Sequence, residues 1–158
     1  MSTKNSNLSD FDSSSVPRRS SLTIGIVVSE WNKKITESLF NGAFTTLTDF
    51  GVKSDNIKRI DVPGSFELVF GSKKMIQSNV DVVIAIGCVI KGETKHFDYI
   101  CQSVSKGIVD LNINFDTPVV FCVLTDNNMQ QSIDRSGGIH GNKGVEAAIT
   151  ALKLANLN

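Results

Sequence analysis

Four short runs of mostly apolar residues, 22–28, 57–62, 81–87 and 118–124, punctuate the chain. Three of them are apolar at alternate positions and at the positions between, a pattern that suits strands buried on both faces of a parallel sheet. The second run, with Lys58, Arg59 and Asp61, is more polar and suits a sheet edge. Between the runs the period changes. Ile35, Leu39, Ala43 and Leu47 recur every four residues, and Phe97, Ile100, Cys101, Val104, Ile108, Leu111 and Phe115 follow a spacing of three and four. Both stretches read as amphipathic helices. Gly71, Met75 and Ile76 suggest a shorter helix, and Val145, Ala148, Ile149, Leu152 and Ala155 a final one. Strand and helix in alternation imply right-handed crossovers. The expected fold is therefore α/β, a three-layer α/β/α sandwich with flavodoxin-like winding around a four-stranded parallel sheet. In such a sheet ligands bind beyond the carboxyl ends of the strands, so the residues just after each run are the informative ones.

Residues 1–21 stand apart. The first twenty hold seven serines and only four apolar residues, Met1, Leu8, Phe11 and Val16, too few to offset the entropy of ordering them. They read as a disordered or extended tail before a single domain at 22–158. Sixteen Lys+Arg balance sixteen Asp+Glu, so the basic surplus that phosphate-backbone binding needs is missing and nucleic acid is not an expected partner. The longest nearly apolar run, 80–90, contains Asp81 and falls short of the roughly 18 residues that span a bilayer, so no membrane is expected either. Cys88, Cys101 and Cys122 are odd in number and widely spaced, which argues against a disulfide framework and for a reducing, cytoplasmic location. With only His96 and His140 beside them, no metal-site spacing occurs.

The run ends carry the unusual residues. After the first comes Ser29-Glu30-Trp31-Asn32, with the only Trp and an Asn placed to cap the following helix. A lone Trp is usually core, but here it is equally placed to stack on a planar ligand. After the second comes Pro63-Gly64-Ser65-Phe66-Glu67, either an ordinary helix cap or a turn presenting a hydroxyl and a carboxylate. After the third, Gly92 and Thr94 precede a helix whose first amides suit an anion, and His96 stands in its first turn. An imidazole there suits proton transfer, although an isolated His is more often structural. After the fourth, Arg135 and Lys143 flank Gly137, Gly138, Gly141 and Gly144. Lys143 is followed by Gly144, so this is no nucleotide-binding phosphate loop, and the first run has no Gly-x-Gly-x-x-Gly after it.

Taken together, Trp31-Asn32, Pro63 to Glu67, Ile86 to Tyr99 with its Gly-x-Thr-x-His-Phe-Asp-Tyr stretch, Val123-Leu124-Thr125, Arg135-Ser136-Gly137 and Gly141 to Gly144 closely resemble the lumazine synthases of riboflavin biosynthesis, in order and spacing. The resemblance implies an enzyme, a transferase, that condenses 5-amino-6-(D-ribitylamino)uracil with 3,4-dihydroxy-2-butanone 4-phosphate, with no metal or organic cofactor. It implies that Trp31 stacks on the pyrimidine, that Ser65, Phe66, Glu67, Cys88, Val89 and Ile90 hold the aminouracil, and that Phe121 reaches that site from a neighbouring subunit. Glu93 and Thr94 match the phosphate cradle and Arg135 its clamp, again from the neighbour. His96 matches the proton-transfer residue and Lys143 a position near the ring.

Glu93 puts a carboxylate where a small residue is frequent, so its side chain is expected to turn outward. Trp31 stands where Phe is more usual, which widens the stacking face and raises the expectation that riboflavin itself binds. The resemblance also implies a homopentamer. The short stretch from Gly137 to Gly144 favours twelve pentamers closing into an icosahedral shell, with riboflavin synthase as a candidate associate. Archaeal-type riboflavin synthases share the fold, but the intact His96 and Arg135 motifs favour the first resemblance.

Overall fold

The computed structural model describes residue 7 and residues 9–157. The chain runs β1 (Ile24–Ser29), α1 (Lys33–Asp49), β2 (Ile57–Val62), α2 (Leu68–Ile76), β3 (Val82–Ile90), α3 (His96–Asn114), β4 (Val119–Asp126), α4 (Met129–Arg135), β5 (Ser136–Gly138), β6 (Gly141–Asn142) and α5 (Lys143–Leu154). The four long strands form one parallel sheet in the order β2-β1-β3-β4, and β5 and β6 form a separate antiparallel pair. This is the α/β sandwich expected from the alternation of apolar periods, with the polar second run at one edge.

Double-sided burial explains the layers. Along β1, Ile24, Ile26 and Val28 point into one core cluster and Val27 into the other. Along β3 the division repeats, with Val82, Ile84, Ile86 and Cys88 against Val83 and Ala85, and along β4 with Val120, Cys122 and Leu124 against Val119 and Val123. Ile35, Leu39, Ala43 and Leu47 of α1 and Ala148 and Leu152 of α5 cover the first face. Leu68 and Met75 of α2 and Val104, Ile108 and Leu111 of α3 cover the second. Each fully buried aliphatic side chain contributes roughly 1.5–3 kcal/mol, so two such faces are ample to hold the sheet between its helices.

Three details lay outside the sequence reading. The fourth run forms the second sheet edge, and Phe121 on β4 is 36% exposed. β3 and β4 continue two or more residues past the apolar runs, to Ile90 and Asp126, so the polar end of β4 still pairs with β3, Thr125 with Val89 and Asp126 with Ile90. The glycine-rich stretch forms a small hairpin between α4 and α5, which no apolar period announced.

The described residues before β1 lie along the α1/α5 side. Val16 is buried in the first core cluster, the Phe11 and Phe50 rings lie 5.9 Å apart, and Arg18 sits over Phe50 and donates to the Asp49 carbonyl. A few apolar side chains thus find partners on the domain although the segment has no core of its own. Among the described residues, no helix is long and apolar enough to cross a membrane, and no group of three or more metal-binding side chains is gathered.

Gly144 lets α5 start directly against α1, because a Cβ there would lie 1.9 Å from the Leu39 carbonyl oxygen. Backbone cannot yield as a flexible side chain does. Gly144→Ala is expected to destabilise by about 1–3 kcal/mol, the usual range for overpacking, and to lower the melting temperature in calorimetry; an unchanged melting temperature would contradict this packing.

Candidate active site

A cleft of about 630 Å³ opens at the carboxyl ends of β1, β2 and β3, and its lining includes Trp31, Ser65, Phe66, Glu67, Cys88, Val89, Ile90, Thr94 and His96. Residues from three separate strand ends thereby meet, as the fold requires. Trp31 is 70% exposed, which removes it from the core and leaves an indole face free to meet a planar ligand.

Asn32 departs from the capping role its position suggests. It stands at the N-cap of α1 in the left-handed region, with φ 58° and ψ 43°, and makes no side-chain cap. Its Nδ2 instead donates to the Cys88 carbonyl oxygen at 3.0 Å, which ties the end of β1 to the end of β3 beneath the cleft. Asn tolerates this backbone conformation better than most residues because its short amide finds local partners.

The Pro63 to Glu67 turn is also no ordinary cap. Glu67 precedes α2 without a side-chain capping bond, and Ser65 Oγ is buried without a hydrogen-bond partner. A buried hydroxyl lacking a partner is costly, so a ligand that bonds it relieves that cost. Gly87 on β3 makes the turn's close approach feasible, since a Cβ there would lie 2.7 Å from Ser65 Oγ.

The approach to α3 is looser. Lys91 N donates to the Asp126 carbonyl, pinning the loop to the end of β4, and His96 N donates to Thr94 Oγ1 at 3.3 Å. Residues 91–96 are all exposed, so the start of α3 is open to solvent. Glu93 is exposed and is not part of the cleft lining. Phe97 and Ile100 line the cleft beside His96, although their spacing marked them as core. The signal available for them was their place within one helical turn of His96.

Phe121, Arg135 and Lys143 lie elsewhere. They line a second cavity of about 850 Å³ along the exposed side of β4, between α4 and α5. Arg135 Nη1 donates to the Gln131 carbonyl, and Lys143 Nζ pairs with Glu146 at 2.5 Å. Within one chain these three do not meet the groups around His96.

Cys88 is a free thiol, and burial pushes it up from its ordinary value, as it does the Cys122 thiol, to about 12. Neither is a thiolate nucleophile near neutral pH.

Residues 21–158 match the family of 6,7-dimethyl-8-ribityllumazine synthase. Proteins of that name are 63% identical in Flavobacterium johnsoniae, over 98% of this chain and 82% of the relative, and 57% identical in Christiangramia forsetii, over 99% and 95%. One from Parabacteroides distasonis is 53% identical over 100% of this chain and 99% of its own length. The chain belongs to the lumazine synthase family. In this family member, then, the cleft residues, the Arg135 cavity and the inert thiols belong to a synthase whose fold and motif order agree.

Raised thiol pKa values slow alkylation in proportion to the lost thiolate. Mass-spectrometric labelling at pH 7.5 is expected to modify Cys88 and Cys122 about tenfold or more slowly in the native protein than in urea. Equal rates in the two states would show that these thiols are neither buried nor inert.

Proposed function

We propose that the chain condenses 5-amino-6-(D-ribitylamino)uracil with 3,4-dihydroxy-2-butanone 4-phosphate, releasing phosphate and water and forming 6,7-dimethyl-8-ribityllumazine. The observation that carries this reading is the cleft itself, which sets an exposed indole, an unpartnered buried hydroxyl and the exposed start of α3 around one imidazole. Trp31 stacks on the pyrimidine, while Ser65, Phe66, Glu67 and the strand end at Cys88, Val89 and Ile90 hold the aminouracil and its ribityl chain. Glu93 and Thr94 offer backbone amides to the phosphate.

The nucleophile is the substrate's own 5-amino group, so the protein needs no activated side chain. Attack on the ketone gives a carbinolamine, which loses water to an imine. Phosphate leaves, the enol tautomerises, and ring closure by the ribitylamino nitrogen expels a second water. His96 moves protons in these steps. General acid–base help of this kind is worth about 10² to 10⁴ in rate, and orientation of two substrates supplies much of the remainder.

A second copy completes the site. Phe121 and Arg135 line a cavity of their own on β4, away from the cleft, which supports their reaching a neighbour's cleft rather than their own. Such a contact joins different surfaces of two copies, and a closed ring, a pentamer, satisfies it. Lys143 approaches the ring from the same side. α4 and α5 are joined by the tight β5–β6 hairpin without an insertion, which favours pentamers closing into a shell. Three free thiols fit a reducing cytoplasm.

Steady-state kinetics test the roles. His96→Ala is expected to lower kcat by about 10² or more without abolishing turnover. Arg135→Ala is expected to raise KM for the butanone phosphate by about one to two orders of magnitude, as loss of charge-assisted bonds would. Unchanged constants in either variant would remove that assignment. Sharing of sites makes a further prediction, because an equal mixture of the two variants, co-refolded, should regain activity in about a quarter of its sites by random assembly around a ring. A mixture no more active than its components would place each site within one chain. Riboflavin titrated into the protein is expected to quench Trp31 fluorescence through stacking; no quenching would count against a flavin-accepting cleft.

A further inference from the structure

Beneath the cleft floor a line of polar side chains crosses the interior from Cys88 toward Arg135. Cys88 Sγ donates to Ser132 Oγ at 3.4 Å, and Ser132 Oγ donates to Asp126 Oδ2 at 2.8 Å. Asp126 Oδ1 faces Arg135 Nε at 4.0 Å, while Arg135 Nη1 donates to the Gln131 carbonyl at 3.1 Å. Ser132 is fully buried and Asp126 is 7% exposed. Asp126 is the last residue of β4, and Ser132 and Arg135 stand three apart on α4, one turn of helix on the same side.

A carboxylate at this depth is costly unless both oxygens are engaged. Here one accepts from a hydroxyl and the other looks toward a guanidinium. The hydroxyl is committed in both directions, accepting from the thiol and donating to the acid. Burial keeps Cys88 protonated, and the nearby Asp126 charge acts the same way, so the donor order along the line does not reverse near neutral pH. Ser132 therefore selects the Asp126 rotamer, and that rotamer aims Oδ1 at Arg135. Among the described residues Nη2 makes no hydrogen bond, so the outer edge of the guanidinium remains for a ligand in the β4 cavity.

We propose that Asp126 and Ser132 are positioning residues, which hold the Nε edge of Arg135 at the end of α4 so that its Nη2 edge is ordered before the substrate's phosphate arrives. The inference rests on the reading of Arg135 as the phosphate clamp. An unanchored arginine would lose rotamer freedom on each binding event, and anchoring removes that loss in advance. The opposing effect is electrostatic, because a carboxylate near the clamp repels phosphate. Its engagement by Ser132 and Arg135 makes anchoring the larger effect, and the two differ in sign when the charge is removed.

The test is steady-state kinetics on the full-length assembled enzyme, varying each substrate in turn, with inorganic phosphate as a competing probe. Ser132→Ala and Asp126→Asn are both small changes, and thermal melts with light scattering check folding and assembly. Each is expected to raise KM for the butanone phosphate, and the inhibition constant of inorganic phosphate, by about three- to tenfold, the size of one net hydrogen bond or somewhat more. The KM for the aminouracil and kcat should stay within about twofold, and neither change should add to Arg135→Ala in a double-mutant cycle. A lower KM in Asp126→Asn would mean that repulsion dominates, and parallel shifts in both substrates' constants would mean a merely structural role; either overturns the proposal. If Arg135→Ala raises the phosphate constants and the other two variants do not, positioning alone fails. If Arg135→Ala leaves them unchanged, the clamp reading fails and positioning falls with it.

Discussion

β3 is buried on both faces between β1 and β4, and its apolar side chains alternate between two cores. That double burial is the constraint on which the molecule depends. It requires helices on both sides, which requires parallel strands joined by crossovers, which in turn leaves the strand ends as the places where backbone can open to a ligand. Gly87 near the end of β3 lets the Pro63 to Glu67 turn close in, and Cys88 brings its carbonyl to Asn32. The strand that organises the core thus also forms the floor of the cleft.

Charge is distributed accordingly. The chain is neutral as a whole, with sixteen cationic and sixteen anionic side chains, yet Arg135 and Lys143 lie together on the β4 side. Arg135 lies beside a buried carboxylate and Lys143 pairs with Glu146, so each cation has an acid of its own chain for a neighbour.

Much of the fold was legible because period is a local property. The four apolar runs correspond to β1 to β4, and the residues spaced by three and four correspond to α1 and α3. What escaped was short or made polar contacts. α4 spans seven residues and buries only Ser132, so it shows no apolar stripe. The β5–β6 hairpin is built from glycines, whose turns leave no hydrophobic signal. Asn32 was read as a cap, but the end of β3 competes for its amide. Of the candidate site residues, those after β1 and β2 and on or after β3 lie together in one cleft, Glu93 excepted, whereas those on and after β4 line another.

By itself the sequence determined the order of strands and helices, the edge position of β2 and the family, because periodicity, polarity and motif spacing are written along the chain. Tertiary structure alone decided which side chains share a cleft. Cys88 and Ser132 are 44 residues apart, and their contact, like the turn of Asp126 toward Arg135, exists only once β3, β4 and α4 are packed. Hydrogen bonds between distant polar residues have no period, and their partners are set by the distances that packing of the apolar faces leaves between the strand ends.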